Sequence, residues 1–454
     1  MNFERVKRSA ISAMLIFLAF GGSALLAGET AAAPAAPAAA AAVNSGDTAW
    51  VLMSAALVLL MTIPGLALFY GGLVRRKNVL SVLMQCFFIT GIITIHWVVL
   101  GYSLSFGPDV AGKGVIGSLS WAFLNGVGLS PDSYYGTTVP HQAFMIFQCM
   151  FAVITPALII GAFAERMKFA SFCVFTLLWT TLVYDPMAHW VWGKGGMLGA
   201  MGALDFAGGT VVHINAGMAA LAAALVLGRR KGYPDKISPP HNLPFAVIGA
   251  ALLWFGWFGF NAGSALAANG LAANAFVVTH VAAATAAVTW ALIDWVVNKH
   301  ATVLGTITGA VGGLVAITPA AGFVNVTGAL IIGVGVSAIC YVFVACIKPK
   351  FGYDDSLDAF GVHGVGGIWG ALATGLFATT TVNSAGGNGL FYGNPGLFLI
   401  QLKATVISIV FSFVMSFILL KLVDKFIGLR VSEQSERIGL DLTEHRESGY
   451  TILD

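Results

Sequence analysis

Two histidines stand in the apolar runs of this chain. His213 lies in GGTVVHINAG, residues 208–217, and His363 in GVHGVGGIWG, residues 361–370. An imidazole carries one donor and one acceptor when neutral and two donors when protonated. Burial and a neighbouring ring both disfavour the charged form. Two neutral rings brought together could share an N–H···N hydrogen bond and offer a polar, uncharged rail to a small solute. Asp205 precedes His213 by eight residues and Asp358 precedes His363 by five. On a helix, eight residues are about 12 Å, which is roughly the depth from a membrane mouth to its midplane. Each aspartate is also placed to cap its helix.

Aromatic residues supply a second chemistry. Trp257, Phe260, Asn261 and Ser264 fall at i, i+3, i+4 and i+7 in LLWFGWFGFNAGSA, one helical face. Phe147 and Phe151 are one turn apart, and Trp192 closes another apolar segment. Such a stripe is ordinarily core or interfacial belt. A cage of ring faces also attracts a small cation, by about 0.5–2 kcal/mol per contact. Paired intramembrane histidines ligate haem in some bundles, so a haem protein or membrane enzyme is the rival class. No carboxylate or thiol stands at zinc-ligand spacing beside either histidine. His96, His189 and His280 read as satisfied core residues, and His141 as the outer end of a helix.

These side chains need helices in lipid to hold them. Of 454 residues, 58% are hydrophobic and 9% charged, against about 25% charged in a soluble domain. The spacing predicts eleven spans, near 48–74, 79–106, 140–164, 168–191, 209–228, 244–264, 273–297, 302–319, 324–347, 359–380 and 396–423. The many internal glycines read as close helix packing. The five cysteines lie in apolar stretches without a CxxC pair and read as small hydrophobes. The net charge of +3, with no long basic run, gives no sign of a nucleic-acid partner.

Arg5, Lys7 and Arg8 precede an apolar stretch and then small residues, the order of a secretory signal, expected over 1–33. An Ala/Pro-rich linker follows at 34–47, a membrane domain at 48–427 and a tail at 428–454. Loops after odd spans carry Arg75, Arg76, Lys77, Arg166, Lys168, Arg229, Arg230, Lys231, Lys236, Lys299, Lys348 and Lys350; the alternate loops carry Lys113 and Lys194. The first set is therefore cytoplasmic, with the mature N-terminus outside and the tail inside. Each histidine falls in the fifth span of a block of five and reads Val-His-x-x-[Ala/Gly]-Gly. Five is odd, so the blocks insert oppositely, a 5+5 inverted repeat with a final long helix and a site at the midplane.

The stretches TIPGLALFYGGLVRRKNVLS, GALDFAGGTVVHINAG, PHNLPF, GWFGFNAGSA, GVHGVGGIWG and GLRVSEQSERIGLDLTEHRESGY resemble the ammonium transporter (Amt/Mep/Rh) family, bacterial branch, from about Asp47 to the tail. The resemblance implies an all-α polytopic membrane protein of the inner membrane, a transporter and not an enzyme. It implies ammonium recruitment by Trp192, Phe151 and Ser264, a gate of Phe151 and Phe260, ammonium handling and deprotonation at Asp205, and a pore lined by His213, His363 and Trp257. It also implies ammonia and methylammonium as solutes, a homotrimer, and a PII-class nitrogen regulatory protein at the cytoplasmic face. One residue more separates Trp192 from Asp205 than in the family pattern. No cofactor is implied. The tail, about 27 residues, leaves no room for a signalling domain of the kind a sensor relative would carry.

Overall fold

The computed structural model describes residues 42–235 and 239–450. The expected signal, most of the expected linker and Lys236 lie outside the described residues. Ten helices are long and apolar enough to cross a membrane: α1 Ser45–Leu73, α2 Arg76–Phe106, α3 His141–Phe163, α4 Phe169–Ala200, α5 Gly209–Leu227, α6 Leu243–Gly263, α7 Gly270–Asn298, α9 Val326–Phe351, α10 Phe360–Phe377 and α11 Pro395–Phe426. A shorter apolar helix, α8 Val303–Ile317, fills the eighth place. Every expected span finds a helix; α4 runs nine residues past its expected end, and the other ends are displaced by four residues or fewer. The expected linker ends early, because Asn44 already caps α1 by accepting from the Asp47 N–H at 3.0 Å.

Glycine sets the packing. Gly249, Gly256, Gly259 and Gly263 form one face of α6 and lie against Phe69, Met61, Leu57 and Ser54 of α1; a Cβ at Gly249 would fall 2.2 Å from the Phe69 nitrogen. Gly305, Gly309 and Gly313 of α8 meet α7 in the same way, at Asp294, Trp290 and Ala282. With lipid outside, close backbone approach replaces the hydrophobic effect as the source of helix–helix attraction. α1 bends at Pro64, where Ile63 leaves helical geometry. In α3, 94% of the most apolar window is buried, in α5 83% and in α10 72%, against 28–50% in the other seven long helices. These three central helices carry Phe151, His213 and His363.

The ends of the bundle differ. At one end, residues 107–140 fold over the helices and include a short antiparallel hairpin, Pro131–Asp132 with Gly136–Pro140. At the other, the basic loops interlock with the tail. Glu165 meets Arg75 at 2.9 Å and Arg230 at 3.2 Å, and Arg230 meets Asp354 at 2.9 Å. Burial alone would raise the Glu165 pKa, but Arg230 and Arg75 outweigh it and hold it below the usual 4.5. The wholly buried Arg166 is pushed down to about 10 by burial, although Asp354 opposes the shift. Its guanidinium donates to the Asp354 carbonyl at 2.7 Å and to the Ser356 hydroxyl at 2.5 Å. The tail then docks: Val431 N–H donates to the Arg166 carbonyl, Leu440 N–H to Asn78 Oδ1, and the Ser81 N–H to Asp441 Oδ1.

Candidate functional site

The loop before α5 ends at Gly208, whose φ of 114° is open to glycine at little cost. That turn folds the Gly208 amide and the first three amides of α5 over Asp205. The carboxylate accepts from the N–H groups of Gly208 (2.7 Å), Gly209 (2.6 Å), Thr210 (2.8 Å) and Val211 (3.3 Å), and from the Thr210 hydroxyl. A buried carboxylate is thereby satisfied by backbone donors and by the positive end of the helix. Trp192 reaches the same turn, donating from Nε1 to the Asp205 carbonyl at 2.9 Å. The extra residue between them is thus absorbed in the loop.

α10 repeats this start with a different residue from the one expected. Asp355, not Asp358, accepts from Ala359 (3.1 Å), Phe360 (2.8 Å) and Gly361 (3.4 Å). It stands eight residues before His363, the spacing of Asp205 to His213. Asp358 already belongs to the first turn, where its carbonyl accepts from the Val362 N–H, and its carboxylate turns away to Lys348 at 2.6 Å. Burial pushes Asp355 up to about 6, although the nearby Lys348 draws it back. The matched spacing of eight was present in the sequence and would have found it.

The two helices then cross at glycine. A Cβ on Gly217 would stand 2.2 Å from the Gly364 backbone, and one on Gly367 would stand 3.0 Å from the His213 Cβ. The crossing brings the rings of His213 and His363 together with centroids 5.4 Å apart and planes 18° from parallel. They stack, and the expected N–H···N bond is absent: neither His213 nitrogen has a partner, nor has His363 Nδ1. Close parallel rings aim their nitrogen lone pairs and N–H bonds sideways, into the space beside them.

Above the histidines the aromatic residues line up. His213 stacks on Trp257 at 5.4 Å and faces Phe260 at 6.0 Å; Phe260 overlies Phe151 at 4.3 Å; Phe151 meets Trp192 edge-on at 5.9 Å. Trp257 is held by a hydrogen bond from Nε1 to Thr318 Oγ1 at 2.9 Å, a partner that the sequence does not single out. Ser264, one turn beyond Phe260, donates to the Phe260 carbonyl at 2.8 Å. An enclosed cavity of about 10 Å³ lies between Phe260 and the two imidazoles, walled by Met61, Leu66, Ile154, Leu158, Val212, Leu253 and Val311. That is room for about one water-sized molecule and not for a haem. His363 is also the inner wall of a vestibule of about 420 Å³ that opens toward the basic loops, past Asp294, Thr308 and Asp358. Of the histidines expected in the core, His96 and His189 are buried; His280 is exposed and packs beside Trp254 and Phe258. Among the described residues no three His, Cys, Asp or Glu side chains converge as a metal-ligand set.

The model of the Ammonium Transporter Family matches residues 49–450. An ammonium transporter of Bacillus subtilis is 54% identical over 408 residues, covering 90% of this chain and 99% of that protein. Ammonium transporter Amt1 of Archaeoglobus fulgidus is 48% identical, covering 90% of this chain and all of its own length. The crystal structure of Saccharomyces cerevisiae Mep2 superposes with a TM-score of 0.80 at 36% identity, over 86% of this chain and 88% of that one. A capped pair of helices crossing at glycine, a column of rings above it, and similarity along nine-tenths of the chain lead to one assignment: this protein belongs to the ammonium transporter family, polytopic all-helical membrane proteins that carry ammonium.

Proposed function

We propose that the column from Trp192 to His363 is the conduction path, and that selection works by deprotonation. NH₄⁺ gathers among Trp192, Phe151 and Ser264, where ring faces and a hydroxyl replace part of its hydration. It gives up a proton to water near Asp205, passes the Phe151–Phe260 gate, and crosses as NH₃ beside Trp257, His213 and His363, while the proton passes separately along the two imidazoles to the inner vestibule, so that each ammonium moves one charge. The single observation that carries this is the enclosed cavity of about 10 Å³ between Phe260 and the stacked imidazoles, which no charged side chain lines. A bare charge at mid-membrane costs at least several kcal/mol, whereas neutral NH₃ escapes most of that and is of a size to fit. The unpartnered nitrogens of His213 and His363 supply the polar contacts that an otherwise apolar cavity lacks.

The basic loops and the docked tail face the cytoplasm in this reading, with residues 107–140 outside, in the inner membrane of the cell. A homotrimer with one path per subunit, and a PII-class regulatory protein at the vestibule mouth, complete it. The test is the charge moved per ammonium in liposomes holding purified protein. His213→Leu/His363→Leu is expected to abolish ammonium-driven current. Wild-type current and selectivity in that double variant would remove the histidines from the mechanism.

A further inference from the structure

Two more histidines sit against carboxylates on α2 and α4, away from the conduction column. His96 and Asp185 are 7% and 0% exposed, and His96 Nε2 lies 3.5 Å from Asp185 Oδ2. The Thr181 hydroxyl donates to the Leu177 carbonyl at 2.8 Å, so it accepts from His96 Nε2 at 2.9 Å. The ring proton therefore sits on Nε2, and Nδ1 is left buried with no partner. Asp185 receives only the Ser105 hydroxyl, on Oδ1 at 3.2 Å, and its Oδ2 has no hydrogen-bond partner. A buried ion pair holds only with close contact and further donors on the carboxylate. This pair has neither, whereas a carboxylic acid beside a neutral imidazole needs neither.

Ser105 links this pair to a second one nearer the outer loop. Its carbonyl accepts from His189 Nδ1 at 3.0 Å, and His189 Nε2 meets Asp109 at 3.0 Å. The other titratable groups nearby are Tyr184 on α4, Cys149 of α3, which faces Thr94, and Tyr102 of α2 with His141 of α3. α11 presents Ser408 to the Met187 sulfur of α4, and its Lys403 is exposed. His189 is committed to Asp109, so among the described residues no unpaired cation is at hand to ionise Asp185.

We propose that His96 and Asp185 form a proton-binding site separate from the conduction path: Asp185 carries a proton at neutral pH, and His96 accepts a second, from outer water, when the outside is acidified. The atoms balance simply. One proton adds to His96 Nδ1, no bond between heavy atoms changes, and the pair gains one positive charge. That charge is held in a dry contact between α2 and α4, so acid weakens the contact. α4 carries Trp192 seven residues beyond Asp185, so loosening it unseats the outer recruitment ring. This last consequence rests on the role proposed for Trp192; the proton site does not.

Infrared difference spectroscopy on the full chain in liposomes reads the site directly. A carboxylic-acid C=O band is expected at neutral pH, shifting in D₂O, lost in Asp185→Asn and kept in Asp109→Asn. If Asp185→Asn removes no such band, the site is overturned. Methylammonium uptake against outer pH reads the coupling. Wild-type KM for the cation is expected to rise about fivefold on acidification, a typical coupling between linked sites. His96→Leu/Asp185→Leu, which removes both groups, is expected to flatten that rise. Should that variant fail to insert, His96→Gln, which removes the group that gains the charge, flattens it, and Asp185→Asn, the neutral isostere of the carboxylic acid, keeps it. A wild-type rise in the double variant or in His96→Gln overturns the coupling, and the infrared band then still decides the site, whether or not the conduction reading survives.

Discussion

Gly217 and Gly364 determine how near His213 and His363 can come, because their backbones touch where α5 crosses α10. A methyl group on Gly217 would lie 2.2 Å from the Gly364 Cα and nitrogen, and neither is the end of a flexible side chain that could swing aside. The helices must separate instead. Gly217→Ala is therefore expected to lower stability by about 1–3 kcal/mol, the usual cost of overpacking, and to abolish uptake by pulling the two rings apart. Thermal unfolding in detergent and methylammonium uptake measure the two effects. Gly91→Ala is the control: nothing lies within 4 Å of the added methyl, so it is expected to leave uptake unchanged and to add ~0.4–1 kcal/mol of stability. Equal losses in both variants would mean that the crossing does not position the histidines.

Among the elements, the tail shows where the sequence stops being legible. Helices were readable because each declares itself locally, by a run of apolar residues between basic or glycine-rich loops. The residues His213, His363, Asp205, Phe260 and Trp192 were readable for the same reason, since each stands out against its own segment. What joins distant segments was not: Thr318 under Trp257, Asn78 under Leu440, and the ladder from Lys168 to Leu429 have no local signature. Asp355 was hidden by Asp358, a second aspartate three residues on. The tail's anchorage passes through Arg166, whose carbonyl accepts from Val431, beside the Glu165 cluster. The Glu165 pKa is depressed, so its stabilising contribution is complete above 4.5 and is lost as pH falls through the folded value. Protonating it removes the charge that Arg75 and Arg230 share. Limited proteolysis within residues 428–450 is therefore expected to speed up as the pH drops below the ordinary carboxylate range. Glu165→Gln is expected to cleave at that faster rate already at neutral pH. Cleavage that ignores both changes would show that the tail is held without this cluster.

At the scale of the whole molecule, the bundle sets a thick apolar wall around one narrow path, and in the proposed mechanism this decides which ions are refused. K⁺ and NH₄⁺ are similar in size, so an aromatic outer site attracts both. The difference comes further in, where the cavity of about 10 Å³ beyond Phe260 has no charged lining to offset the loss of water. NH₄⁺ can leave its proton behind; K⁺ has nothing to shed and meets the full cost of a bare charge, which even the lower estimates set at about 2.5–3.5 kcal/mol. By energy alone that is a discrimination on the order of 100-fold. Two results follow for protein in liposomes. Excess K⁺ competes weakly for the outer site and raises the apparent KM for ammonium, yet it carries no current of its own. Phe260→Ala, which opens the gate ring above the cavity, admits water to the path. Hydrated K⁺ then has partial solvation throughout, and a measurable K⁺ current is expected beside a retained ammonium flux. If the Phe260→Ala variant stays as K⁺-tight as the wild type, dryness at this gate is not what selects, and selectivity must come from the rings of His213 and His363 below it.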